Sequence, residues 1–176
     1  MSEALIQLVD ENDTPLRGGT MDEAQLQGLW HRIVRVMVHD IESDRWLLQK
    51  VAPNPYYNGG LWNTTSSGHV DTGETYGEAG GRETEEEMGI KGMTLVEFDR
   101  YTTETTKRHA GKERIYRRHN VTYIAEVGAS EVALAPSDEV EETLWVSLEA
   151  LRALRHQDNP PLTDGLIRFV DQMSSY

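Results

Sequence analysis

"GHVDTGETYGEAGGRETEEEMGI", residues 68–90, decides how the rest of the chain is read. Thr75 and Glu78 stand at the spacing of a capping box, and Gly89 stands where a helix closes. A helix from Thr75 to Met88 is expected. At about 100° per residue, Tyr76, Ala79, Gly80, Glu83, Glu86 and Glu87 share one stripe. Gly77, Gly81, Thr84 and Met88 share a second, suited to close packing on a sheet. Thr75, Glu78, Arg82 and Glu85 share a third, read as facing solvent, with Glu78 and Arg82 spaced i,i+4 for a surface ion pair.

Propensity opposes this helix. Gly77, Gly80 and Gly81 each cost about 1 kcal/mol relative to alanine in a helix interior. Tertiary packing must therefore hold the segment, with its backbone close to a neighbour. The carboxylates oppose it as well: two unit charges ~6 Å apart repel by roughly 3 kcal/mol at an effective dielectric of about 20. A solvated acidic face is the plainer account of a run of glutamates, but such a face gains nothing from three glycines. A bound divalent cation removes the repulsion. All-oxygen ligands suit Mg²⁺ or Mn²⁺, and Mg²⁺ combines one or two carboxylates with waters and substrate phosphates.

The whole chain fits a cation-holding domain. It has 176 residues, with 17 Lys plus Arg against 30 Asp plus Glu and a formal net charge of −13. One domain of ordinary size is expected. The acidity argues against a nucleic-acid polymer or an anionic membrane as partner. Without cysteine there is no disulfide, thiolate metal site or cysteine nucleophile. The N-terminus lacks the pattern of a signal peptide, and no apolar run is long enough to span a bilayer, so a cytoplasmic location is the default.

Strands and helices alternate irregularly outside the helix at 75–88. "LIQLVDENDTPLRGG" reads as a strand entering a turn at Pro15 and Gly18-Gly19. Thr20 and Glu23 open a short helix expected to reach Trp30. "RIVRVMVHD" and "RWLLQKVA" read as a hairpin about "IESD", and "PNPYYNGGLWN" as loop. "MTLVEFDRYTTETT" and "RIYRRHNVTYIAEV" are two long strands with "HAGKE" in the turn. "ETLWVSLEAL" is a strand running into a helix, and "TDGLIRFVDQM" a closing amphipathic helix capped by Thr163. An α/β or α+β single domain follows.

Residues 68–90 resemble the Nudix box, G-x5-E-x7-R-E-U-x-E-E-x-G-U with U a bulky aliphatic residue. Every fixed position is met; the one departure is Thr84 at the first U. "VDENDTPL", "GLWHRIVRVMV", "LLQKVA" and "GGLWNTTSSGHVDTGET" are similar to the branch of that superfamily related to isopentenyl-diphosphate isomerase. The resemblance covers roughly residues 5–155. It implies an α/β/α sandwich with a mixed sheet and the box as a loop–helix–loop. It also implies Glu83, Glu86 and Glu87 as metal ligands or water-activating carboxylates, completed by the backbone carbonyl of Ser67. Arg82 and Glu74 would orient them, in competition with the Glu78–Arg82 pair above. The implied chemistry is hydrolysis of a small-molecule diphosphate linked to a group X, with Mg²⁺ or Mn²⁺ as cofactor. Glu139 is the first choice of base outside the box, ahead of Glu141 and Glu142. Lys50, Gly68, His69 and Tyr57 are the candidate substrate contacts, and Tyr56, Tyr57 and Trp62 could stack on a flat group.

Two other readings stand beside this one. An isomerase of the same branch would use His31 and His69 as metal ligands. It also needs a cysteine where this chain has Ser67, and glutamates from the strand that here reads Arg117, Arg118, His119 and Asn120. A silent binding module would be expected to lose the box carboxylates, which are all present. The stretch 107–119 carries Lys107, Arg108, Lys112, Arg114, Arg117 and Arg118. It reads either as a phosphate clamp or as an exposed hairpin serving solubility or a homodimer contact.

Overall fold

A computed structural model describes residues 5–54, 58–109, 111–158 and 160–173. Among these, one sheet contains β1 (Ile6–Val9), β2 (Pro15–Gly19), β3 (Trp30–Asp40), β4 (Arg45–Val51), β5 (Trp62–Asn63), β6 (Ser66–His69), β7 (Val96–His109), β8 (Lys112–Val127) and β9 (Val140–Val146). The helices are α1 (Met21–Gln27), α2 (Tyr76–Met88), α3 (Leu148–Arg155) and α4 (Asp164–Met173). No described helix is long and apolar enough to cross a membrane.

β3 organises the sheet. It runs parallel to β8 and antiparallel to β1, β4 and β6, so the sheet is mixed. Its alternation feeds two cores. Val34, Val36 and Val38 pack in the clusters that hold Tyr76, Ala79 and Met88 of α2. Met37 faces the other way, onto Leu151 of α3 and Leu166, Phe169 and Val170 of α4. The result is the expected α/β/α sandwich. The same alternation puts Arg35 on the α4 face with Met37.

Only one of the three helix glycines explains itself by close approach. A Cβ on Gly80 would come within 3.1 Å of Leu95 and 3.3 Å of Val34 and Val36, whereas Gly77 and Gly81 face open space. The second stripe is thus only half a packing face, through Thr84 and Met88, both fully buried. Thr84 at the aliphatic position of the box is explained by a polar contact. Its hydroxyl donates to the Gly80 carbonyl at 2.7 Å, so the Ser66 hydroxyl of β6, 2.6 Å away, must be the donor to Thr84. Thr84→Val is expected to cost about 1–2 kcal/mol by leaving Ser66 buried without an acceptor. Adding Ser66→Ala should recover most of that loss in urea denaturation; a double variant no more stable than the single one would refute the pairing.

Several boundaries differ from the sequence expectation. The first turn falls at residues 10–14, because the Asp10 carboxylate accepts the Asn12 and Thr14 amides and Asp13 adopts φ 66°. Pro15 and Gly18-Gly19 lie inside β2 instead. α1 stops at Gln27, where Gly28 takes the left-handed conformation, and Trp30 already begins β3. β7 continues through Lys107 to His109, which pairs with Lys112. The box opens on a strand, β6, rather than on a loop. Trp62 packs against the α3–α4 core.

Candidate active site

β6 and α2 bring the box residues together. A Cβ on Gly68 would fall 2.0 Å from Glu83 Oε1, so the missing side chain is what lets the Glu83 carboxylate lie against the β6 backbone. One turn further on, Glu87 is 8% exposed. Its Oε2 accepts from Gln49 Nε2 at 2.6 Å and from the Ser67 amide at 3.2 Å. Burial, and then the charge of Glu83, push the Glu87 carboxyl up to about 8, against the pull of those two hydrogen bonds. Burial also raises Glu83, opposed by Arg82.

Arg82 does not face solvent toward Glu78. Its guanidinium forks onto Glu74, with Nε to Oε1 at 2.8 Å and Nη2 to Oε2 at 2.9 Å. Nη2 also reaches the His69 carbonyl, while Nη1 bridges Glu83 at 2.8 Å and Glu86 at 3.2 Å. Glu78 is occupied by the capping box, accepting from the amide and hydroxyl of Thr75. Helical side chains lean toward the N-terminus, and arginine is long enough to cross from one stripe to the next. Stripe assignment alone therefore misplaces it.

The three box carboxylates are unequal. Glu86 is 58% exposed in its side chain and sits at the rim. Glu85 is solvent-facing and pairs with Lys91. Among the described residues no three His, Asp or Glu groups converge closely enough to hold a metal as they stand. Arg82 supplies the positive charge shared by Glu83 and Glu86. Glu87, in contrast, has neutral hydrogen-bond partners and, among the described residues, no ion pair.

A cavity of about 990 Å³ extends from these carboxylates over the α4 face of the sheet. Ser67, Gly68, Glu83, Glu87, Asp138 and Glu139 line it. So do Arg35, Tyr101, Arg118, Asn120 and Arg168. His69 also borders it. Lys50 does not: its Nζ lies 3.3 Å from Glu141, on the opposite side of β4 from Gln49. The "LLQK" motif thus contributes its glutamine, not its lysine, to this site. Tyr56 and Tyr57 lie outside the described residues. The basic stretch divides. Lys107 and Arg118 border the cavity, while Arg114 pairs with Asp22 and Arg117 with Glu104. Gln49 and Arg35 were not foreseen. A charge at an inward position of the apolar run "RIVRVMV" was the available signal for Arg35.

His31 and His69 stack with ring centroids 5.4 Å apart. His31 Nδ1 donates to the Leu29 carbonyl at 3.0 Å, and among the described residues neither ring's Nε2 has a hydrogen-bond partner. Burial is the main cause that lowers them to about 4 and about 3 respectively; the Arg118 charge adds to both, and His31 to His69. Both are neutral at pH 7.

Comparison with known proteins agrees with the fold. The NUDIX domain family model matches residues 29–166. The chain is 31% identical over 150 residues to isopentenyl-diphosphate Delta-isomerase 1 of Aromatoleum aromaticum, covering 83% of this chain and 78% of that one. It is 28% identical over 148 residues to an uncharacterized Nudix hydrolase of Yersinia pestis, covering 84% and 75%. A crystallised protein of Deinococcus radiodurans superposes with a TM-score of 0.71 over 95% of this chain and 97% of that one, at 16% identity. The NUDIX domain of Shewanella oneidensis NrtR, crystallised with ADP ribose, gives 0.59 over 89% and 98%, also at 16% identity. At such identities the structural likeness speaks for the fold alone.

Proposed function

The chain belongs to the Nudix family, and from that premise we propose that it is a divalent-metal-dependent hydrolase of a small-molecule diphosphate linked to another group. The observation that carries this reading is Glu87. It is a buried carboxylate with a raised pKa, beside a second carboxylate, with hydrogen bonds but, among the described residues, no basic partner. It stands on the wall of a cavity large enough for a nucleotide-sized ligand. A hard divalent ion fits this all-oxygen donor set, because it would offset the repulsion that burial now intensifies.

Glu83, Glu86 and Glu87 would hold the ion. Ser67 would add its carbonyl, since on a strand N–H and C=O point to the same edge and its N–H already meets Glu87. When bound, Mg²⁺ or Mn²⁺ supplies charge neutralisation at phosphate oxygens and acidifies a water. Arg82, clamped by Glu74, keeps Glu83 and Glu86 oriented. Glu139, at the cavity edge within electrostatic reach of Glu87, would accept the proton of the attacking water. Gly68 and His69 would border the substrate.

The names of relatives and the stacked His31–His69 pair favour a second reading, isomerisation of a C5 diphosphate. Against it, Ser67 occupies the position of the required cysteine, and Arg118 borders the cavity on the strand expected to bring glutamates. Nucleoside di- and triphosphates, dinucleotides, nucleotide sugars and isoprenoid diphosphates should be screened with Mg²⁺ or Mn²⁺ and again with EDTA. Metal-dependent phosphate release is the expected result. Turnover of none of them would sink the hydrolase reading, and conversion of isopentenyl to dimethylallyl diphosphate would replace it with the second.

A further inference from the structure

Arg35 borders the cavity together with Lys107, Arg118 and Arg168. Arg168 is paired with Asp99 at 2.8 Å, and Arg118 lies over the Tyr116 ring at 4.6 Å. The Arg35 guanidinium donates through Nη1 to Asn120 Oδ1 at 2.8 Å, and among the described residues it forms no salt bridge. The orientation of Asn120 is held from behind, because its Nδ2 faces the Tyr101 carbonyl, the Thr103 hydroxyl and the Arg118 carbonyl. Its oxygen is therefore aimed at Arg35. From the other side, α4 leans on the guanidinium. A Cβ on Gly165 would fall 2.1 Å from Arg35 Nε.

That setting is unfavourable for a cation by itself. A helix N-terminus carries partial positive charge, so α4 repels Arg35 where it touches it. Desolvation is the largest influence and lowers the arginine below its ordinary value; the Asp164 carboxylate, and Tyr101 when ionised, act in the opposite direction. A desolvated charge with only a neutral partner costs stability unless an opposite charge joins it. The open side of Arg35 is the cavity, and its neighbour across the strand pair is Ser67, which touches Glu87. Adjacent strands lie about 4.8 Å apart, so a phosphate above Arg35 would be within one or two strand spacings of the carboxylates.

We infer that Arg35, oriented by Asn120, is the anion-recognition residue of this cavity and takes a phosphate group of the substrate on the α4 face of the sheet. The phosphate nature of the anion rests on the diphosphate reading above; the anion site itself does not. A planar guanidinium can meet phosphate with two parallel hydrogen bonds, which a lysine ammonium cannot reproduce.

The test needs neither metal nor turnover. Inorganic pyrophosphate is titrated in EDTA at constant ionic strength, with thermal unfolding and calorimetry as readouts, against wild type, Arg35→Gln and Arg35→Lys. Pyrophosphate is expected to raise the wild-type Tm and to bind Arg35→Gln at least about tenfold more weakly, the loss of one charge-assisted contact. Arg35→Lys, which keeps the charge without the fork, should fall between them and covers the case of a glutamine variant that folds poorly. Without ligand, Arg35→Gln should be no less stable than wild type, because it removes a desolvated charge; a purely structural arginine would show the reverse. No pyrophosphate binding to wild type, or equal binding to all three, overturns the proposal. Arg35-dependent binding without metal-dependent hydrolysis would instead sink the hydrolase reading and leave this one standing.

Discussion

Glu87→Gln is expected to lower metal-dependent phosphate release by about 10²–10³-fold while leaving the metal-free protein at least as stable as wild type. Both halves follow from the same geometry. The carboxylate is 8% exposed, held by Gln49 Nε2 and the Ser67 amide, and repelled by Glu83. A glutamine oxygen in the place of Oε2 can keep both hydrogen bonds. A carboxyl lifted to about 8 is mostly protonated at pH 7 without metal, so the change removes the cost of that protonation and little packing. Relief of that cost is worth roughly 1–3 kcal/mol. The same change removes an anchor for the cation, whose charge stabilisation is worth several kcal/mol at the transition state, and each 1.4 kcal/mol or so is tenfold in rate. Steady-state kinetics with Mg²⁺, and urea unfolding in EDTA, measure the two halves. A variant that loses activity by unfolding, or that keeps wild-type activity, would show that Glu87 is structural.

His31 should make folding stability fall in acid by roughly 3 kcal/mol between pH 6.5 and pH 4. It is fully buried, and burial is the main reason that its pKa drops from 6.5 to about 4. In the unfolded chain the imidazole takes up a proton below pH 6.5, whereas the folded protein holds it neutral until about pH 4. The unfolded state thus binds more protons throughout that window. Stability is complete above pH 6.5 and declines as the pH falls toward the folded value. The groups that face the ring are His69, stacked on it, and Arg118, whose charge adds to the depression. Carboxylates also titrate in this range, so wild type is compared with His31→Gln by urea unfolding at several pH values. The advantage of wild type should shrink by that amount on acidification. A difference independent of pH would mean that the buried ring keeps an ordinary pKa.

Much of the fold was readable in local pattern. Thr75, Glu78 and Gly89 mark the ends of α2, and the structure closes them as a complete capping box and a left-handed glycine. β3 alternates as period two requires, with its valines toward α2 and Met37 toward α3 and α4. Where local chemistry competes, the pattern misled. Asp10 captured two amides and moved the first turn ahead of Pro15. Gly28 ended α1 before Trp30. Lys50 was a candidate phosphate contact because the resemblance implies a basic residue there, but strand alternation sends it to Glu141 and turns Gln49 to the site.

The sequence by itself determined the family, the layered architecture and the set of carboxylates, because capping, alternation and the spacing of the box depend on near neighbours along the chain. Only the tertiary structure decided how those carboxylates differ. Glu83 lies on the backbone of Gly68, Glu86 stays at the rim, and Glu87 is buried with neutral partners. Arg82 turned from solvent to Glu74 for the same reason, and Arg35 met Asn120 from 85 residues away. Desolvation and long-range pairing set the energy of a charge, and both depend on what the folded chain places against it.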